Sequence, residues 1–567
     1  MSDNVLLSLL WAAPVVGSVL VLALPGRNDL AIKATALGIT AMTFVLSLVA
    51  FGAFLSIGEG RPDASLVARA GQNLVEAGEQ AGIPAVRDAA GDLVYRGPWI
   101  PYFKIEYFLG LDGISMSLVL LTALISLLAC LASWGIETGV KGYFSLFLLL
   151  LGSMMGVFLA LDLFLFFVFF EFMLLPMYFL IGVWGGEHRE YAAIKFLLYT
   201  LFGSVFILVA ILLLYFYAPE GAEALYTFDL IRLMGASEHF SGTIFGFGVQ
   251  SVVFVLFLIG FLIKLPAVPV HTWLPDAHVQ APTPISMILA GVLLKIGGYG
   301  LIRMAWPLAP VGAYELSWFV AVLGVVSIIY GALAAMAQTD FKRLVAYSSV
   351  SHMGYVMLGL AVMNLFAPQY YAYGVNGAMF MMIAHGITSA GMFFLVGVVY
   401  DRLHTRDLAR MGGLMNVMPV YGGVTLLIFF GAMGLPGLCG FVAEVFVLLS
   451  AFNYSYVLAL LAAASLVLTA GYILWTLQRV LLGRNEAVRG LPDLSIRERI
   501  IAAPLVVLTV WLGIFPQTLI GWMSPSVDRM VEHVVAANGL ESRPGPEAVA
   551  DEADPDPLDS LAQRIQE

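Results

Sequence analysis

The sequence predicts an all-α polytopic membrane protein, and three observations carry that reading. Hydrophobic residues make up 60% of the chain and charged residues 11%, with a mean hydropathy of +0.93, far outside soluble usage. Apolar stretches of about 20 residues, the length that crosses a bilayer as a helix, recur along the chain. Runs such as Phe206 to Ala218 and Val457 to Ala464 are continuously apolar, whereas transmembrane barrel strands alternate over about ten residues. Helices are then the only spanning form left.

Counting such runs gives about fourteen spans by length, starting near residues 4, 30, 113, 143, 162, 191, 247, 282, 316, 341, 371, 417, 455 and 500. Residues 1–57 hold spans 1 and 2. Residues 58–106 are too polar to span and too long for a turn, and read as an extramembrane insertion. Span 3 falls in 107–142, spans 4 to 8 in 143–310, spans 9 to 13 in 311–485 and span 14 in 486–525. Residues 526–567 read as an acidic, disordered tail, because Glu541 to Glu567 carries eight acids and two arginines, over half of the net charge of −11. No basic region precedes the first apolar stretch, so the N-terminus does not read as a cleaved signal.

Short loops after odd-numbered spans carry Arg27, Lys141, Arg189, Lys342, Arg343, Arg402, Arg406 and Arg410, and those after even-numbered spans little beyond Arg232 and Arg303. The positive-inside rule then places the odd loops in the cytoplasm and both termini outside. Span 7 is expected to break at Lys264-Leu265-Pro266-Ala267-Val268-Pro269, and span 12 at Gly434-Leu435-Pro436-Gly437. Interrupted helices at corresponding places in two halves point to inverted repeats, here spans 4–8 and 9–13.

Four ionisable residues stand alone in apolar runs. Glu171 is the only charge from Leu163 to Trp184, Lys264 from Val252 to Val270, Lys295 from Pro284 to Ile302, and Glu444 between Arg410 and Arg479. Each costs roughly 2.5 to 3.5 kcal/mol at mid-membrane if uncompensated, so each needs a partner, water or a task. A buried acid and a buried amine hold their charges more readily together than apart, which makes a pair of them a proton switch. Glu171 with Lys264 forms the expected first pair, Lys295 the next acceptor and Glu444 the exit group, with static ion pairs that fix helix packing as the bland alternative. His352 and His385 lie in a stretch without Asp, Glu, Lys or Arg from Leu344 to Tyr400 and would fit between Lys295 and Glu444. Lys195, close to Glu190, is a secondary member that snorkelling explains equally well.

Several chemistries find no support. Cys130 and Cys439 cannot supply four thiolates for an iron-sulfur cluster. The spacing of His271, Asp276 and His278 fits no standard zinc arrangement. No phosphate-cradling loop follows a strand, so the chain is expected to hold no cofactor and no metal, and nothing in it points to nucleic acid.

Phe170-Glu171-Phe172 with Pro176, Lys264-Leu265-Pro266 running to His271-Thr272-Trp273-Leu274-Pro275-Asp276-Ala277-His278, and Lys295-Ile296-Gly297-Gly298-Tyr299-Gly300 together resemble the antiporter-like membrane subunits of respiratory complex I. The resemblance covers nearly the whole chain apart from the insertion and the tail. Glu444 after Gly434-Leu435-Pro436-Gly437 is similar to the NuoM type, whose siblings usually carry a lysine there. The resemblance implies a proton channel driven by quinone reduction elsewhere, a bacterial inner-membrane location, NuoL-like and NuoN-like neighbours, and no redox centre in this chain. It marks Glu171, Lys264, Lys295 and Glu444 as the relay, with Lys195, His352 and His385 as secondary members. The rival expectations are a subunit of an Mrp-type cation/proton antiporter and a non-conducting structural spacer.

Overall fold

The computed structural model describes residues 3–58, 93–220, 223–237, 240 and 242–539. Among them, eleven helices are long and apolar enough to cross a membrane, or twelve if Ile496–Ile514 and Gln517–Ala537, bent by 72°, form one span. The sequence reading expected more because it counted two interrupted spans as whole. Val249–Lys264, Pro419–Ala432 and Cys439–Tyr454 are each shorter than 18 residues, and they stand where spans 7 and 12 were predicted to break. Helix starts fall within four residues of the predicted ones throughout.

Two regions differ from expectation. The predicted insertion ends in an antiparallel hairpin, Leu93–Ile100 with Ile105–Leu111, one of three two-stranded sheets among the described residues. Its second strand leads into Asp112, which caps helix Gly113–Ala132. The rest of the insertion, 59–92, lies outside the described residues. The tail was expected from residue 526, yet helix Gln517–Ala537 runs past that point with Val527, Met530, Val531, Val534 and Val535 buried. Apolar residues at helical spacing bind it to the bundle, and the acidic stretch from 540 lies outside the described residues.

Every lone charge sits at an irregularity of its helix. Glu171 directly precedes the junction where Leu163–Phe172 gives way at Met173 to Leu174–Trp184, where Pro176 lacks the N–H that would bond back to Phe172. Lys264 is the last residue of Val249–Lys264, and Pro266 and Pro269 delay the chain until Trp273–Gln280. Lys295 lies between π-helical turns at Leu289–Leu293 and Leu301–Ala305. Glu444 stands in the second turn of Cys439–Tyr454, after a break that Gly434 at φ 76° and Gly437 at φ 89° allow.

Two junctions repeat one pattern. Leu163 N–H donates to Phe228 O at 2.8 Å and Leu230 N–H to Leu161 O at 3.0 Å. Phe341 N–H donates to Arg406 O at 2.8 Å and Leu408 N–H to Thr339 O at 2.9 Å. Each partner in the second set lies 178 residues after its counterpart (163 to 341, 228 to 406, 230 to 408, 161 to 339). All four aspartates involved, Asp162, Asp229, Asp340 and Asp407, cap the helices that follow them.

Candidate functional site

The buried polar groups begin at the first interrupted helix. Lys264 Nζ finds no hydrogen-bond partner among the described residues, and neither does Glu171 Oε1. The ammonium lies 5.1 Å from the centre of the Phe170 ring and 5.4 Å from that of Phe196, a cation–π setting that compensates part of the lost hydration. The two residues of the expected first pair are therefore not hydrogen-bonded to each other through the ammonium, which has no partner among the described residues.

Lys295 is the centre of the second group. Its Nζ lies 2.7 Å from His385 Nδ1 and also donates to the Ala290 carbonyl. Ala290 belongs to the π-helical turn before it, where the irregular ladder makes a carbonyl available. The short reach to His385 depends on a close helix crossing. A Cβ on Gly386 would stand 2.9 Å from Gly291 O, and one on Gly291 would stand 3.5 Å from Gly386 O, so helices Thr283–Leu308 and Pro368–Leu403 approach backbone to backbone here.

While Lys295 is an ammonium it can only donate to His385 Nδ1, which leaves the proton of a neutral ring on Nε2, where no partner lies among the described residues. The His352 ring lies beside it, tilted by 42° with 5.3 Å between centroids. His352 Nδ1 is 2.7 Å from Ser348 O and Nε2 is 2.8 Å from Ala432 O. Carbonyls only accept, so a singly protonated ring satisfies one of them and a doubly protonated ring satisfies both. The position can take up an extra proton without rearrangement. Ala432 ends helix Pro419–Ala432, and the chain turns there into the break against which Glu444 packs. Gly434, at φ 76°, lies directly against that carboxyl: a Cβ there would stand 1.8 Å from Glu444 Oε2, and the Glu444 side chain would have to move. Glu444 itself is 3% exposed.

Lys195 stands apart from this line. Its Nζ pairs with Asp276 at 2.7 Å, and the other Asp276 oxygen takes Arg343 at 3.0 Å. Lys195 thus has an ion-pair partner, and both Asp276 oxygens are committed to cations. Sequence reasoning passed over two further buried groups. Lys342 was counted among loop cations, yet it is 5% exposed and donates to Ala281 O at 2.5 Å. His278 is fully buried with neither ring nitrogen partnered among the described residues, stacked 4.3 Å from Phe393. Its only signal in sequence was a histidine in the Pro-rich segment after Lys264.

Residues 160–469 match the family model described as NADH:quinone oxidoreductase/Mrp antiporter, transmembrane. The chain belongs to that family. Among this family's members, NADH-quinone oxidoreductase subunit M of Rhodobacter capsulatus is 45% identical over 450 residues, 78% of this chain and 85% of the relative. NAD(P)H-quinone oxidoreductase chain 4 1 of Synechococcus elongatus is 42% identical over 440 residues, 76% and 79% of the two chains. A chain of respiratory complex I from Thermus thermophilus superposes with a TM-score of 0.77 at 29% identity, covering 93% of this chain and 99% of that one. A chain of the Mrp complex from a Dietzia species gives 0.75 at 20% identity, covering 94% and 98%, a likeness of fold alone. The antiporter-like family expected from the relay motifs is thus the family found.

Proposed function

We propose that this chain is a proton-translocating, NuoM-type subunit of a bacterial NADH:quinone oxidoreductase. In this reading it lies in the inner membrane among NuoL-like and NuoN-like neighbours, and electrons pass elsewhere in the assembly. The observation that carries the reading is the buried line from Lys295 through His385 to His352, which ends at the break holding Glu444. The subunit M relatives, each matched over most of their length, favour this machine over the Mrp antiporter.

Loss of the Glu171 charge beside Lys264 weakens that lysine's hold on its proton. The proton passes to Lys295, moves laterally through the histidines and leaves by way of Glu444. Each proton works against about 2.3 kcal/mol per 100 mV, comparable to a proton-affinity change of under about two pK units, so small movements of Glu171 against Lys264 suffice as a gate. The two matched aspartate junctions support inverted repeats of spans 4–8 and 9–13, and counting each interrupted helix as one span supports fourteen. Odd-numbered loops face the cytoplasm and both termini lie outside.

NADH-driven acidification of inverted membrane vesicles tests the assignment. Glu444→Gln is expected to abolish most of it, whereas an Mrp-type antiporter would show no NADH dependence at all. Lys264→Ala vesicles that pump at the full proton-to-electron ratio would leave only the spacer role.

A further inference from the structure

Helix Thr283–Leu308 carries a second polar stripe that the relay leaves unused. Lys295 and Tyr299 stand at i and i+4 in the α-helical stretch between the two π-helical turns, so they share a face. The Arg303 guanidinium lies 5.7 Å from the centre of the Tyr299 ring. Arg303 pairs with Asp112, which caps helix Gly113–Ala132 and accepts from Ser115 N–H at 2.9 Å and from the Ser115 hydroxyl at 2.8 Å. Lys295 and Tyr299 are fully buried, and the Arg303 side chain is only 11% exposed. Helix Gln517–Ala537 closes this end of the bundle. Ser526 Oγ accepts from Gly113 N–H at 2.9 Å and from Arg529 at 3.0 Å, and His533 Nε2 lies 2.9 Å from the Pro307 carbonyl. Of the acids on that helix, Asp528 accepts from Ser524 and Glu532 is exposed.

We infer that Arg303 is an electrostatic stopper that denies protons on Lys295 the direct way out along their own helix and so commits them to the lateral line through His385. The inference rests on the relay reading above and adds the group that gives the relay its direction. The two sides of Lys295 are chemically unlike. His385 offers a ring nitrogen 2.7 Å away that can take up a proton. Toward the hairpin stand Tyr299, whose hydroxyl proton is engaged by the Phe158 carbonyl at 3.3 Å, and Arg303, whose guanidinium releases no proton in a protein and repels an arriving one. Asp112 holds that guanidinium in place without emptying the corner of positive charge. The helix N-terminus it caps and Arg529, one hydroxyl away at Ser526, add to the same side of the balance. In the orientation proposed above this end is the outer one, so a proton driven back by the membrane potential meets the same stopper.

The structural alternative is that Arg303 and Asp112 only fasten helix ends. Passive proton entry separates the two, measured in sealed liposomes that hold the whole complex, under a potassium diffusion potential and without NADH. Arg303→Gln is expected to raise that leak on the order of ten-fold, since a unit charge about 12 Å along the helix shifts a proton's free energy by about 1.4 kcal/mol at an effective dielectric constant of about 20. NADH oxidation should continue in this variant while net acidification falls. Arg303→Lys, still cationic beside Asp112, is expected to stay as tight as the unaltered complex. Asp112→Asn with Arg303→Gln removes the buried pair together and is expected to leak as well, which keeps the test open if an unpaired Asp112 prevents assembly. Adding Lys295→Met to the leaky variant is expected to seal it. An unaltered leak in both Arg303→Gln and the double variant, with a lowered melting temperature, overturns the stopper in favour of fastening. An equal leak in Arg303→Lys, or one that survives Lys295→Met, overturns it too. In each of these cases loss of pumping by Lys295→Met alone leaves the relay standing, whereas full-rate pumping by Lys295→Met overturns the reading beneath.

Discussion

The two interrupted helices solve one electrostatic problem with opposite signs. In the first, the cation Lys264 is the final residue of its half-helix, where the negative end of the helix dipole favours positive charge. In the second, the anion Glu444 follows the start of a new half-helix and reaches back to Gly434, toward the positive end. A break in a membrane helix is therefore a polarised socket, and its direction selects the charge it accepts. The matched aspartate junctions differ in a similar way. Asp162 is fully buried and accepts backbone N–H bonds from Phe164, Leu165 and Glu106, whereas the equivalent Asp340 is partly exposed and pairs with Arg406 at 3.2 Å.

Reversing the sign in the first socket should have the largest effect. Lys264→Glu sets an anion against the negative end of the helix dipole and Glu171, at a cost of at least about 3 kcal/mol, and the subunit is expected to vanish from purified membranes by quantitative immunoblotting. Normal accumulation would end the polarity argument. Next comes the contrast between the junctions. Burial pushes the Asp162 carboxyl up to about 6, against the pull of its backbone N–H donors. The folded chain thus holds a proton that the unfolded chain releases above its ordinary value of 3.8. That stability is complete below about pH 4 and lost as pH rises through about 6, on the order of 3 kcal/mol. Melting temperatures of the purified complex should fall across that window, and Asp162→Asn should flatten the fall.

A smaller effect sharpens the second socket. Gly434→Ala and Gly437→Ala both place a side chain at positive φ, for about 1–2 kcal/mol of strain, but only the first meets the carboxylate, since nothing lies within 4 Å of a Cβ at Gly437. Equal loss of pumping in the two would show that Gly434 does not position Glu444. The smallest change is expected at Asp276→Asn, which loses ion pairs at the helix ends worth under about 1 kcal/mol and should leave proton pumping within experimental scatter.

Much of this was legible in the chain because lone charges and prolines are local signals. Glu171, Lys264, Lys295 and Glu444 stand out against apolar neighbours whatever the fold, and Pro266 and Pro436 announce the breaks. What pairs with what was not legible. His278, Lys342 and Arg303 gain their meaning from helices far away in sequence, and Lys342 next to Arg343 reads as an ordinary loop cation until the Ala281 carbonyl is seen above it. The π-helical turns around Lys295 left no mark, since Leu289–Leu293 has an ordinary apolar composition. The helical end of the expected tail was missed because the acidic composition beyond it dominated the reading.

The Gly291 and Gly386 crossing sets a tight upper bound on side-chain size at the heart of the molecule. A side chain at Gly386, whose Cβ would stand 2.9 Å from Gly291 O, thickens the contact and is expected to stretch the 2.7 Å separation of Lys295 and His385. On the proposed relay, such alleles would insert, fold and assemble around a severed conductor, and they would present as respiratory chains that oxidise fuel while moving fewer protons across the membrane.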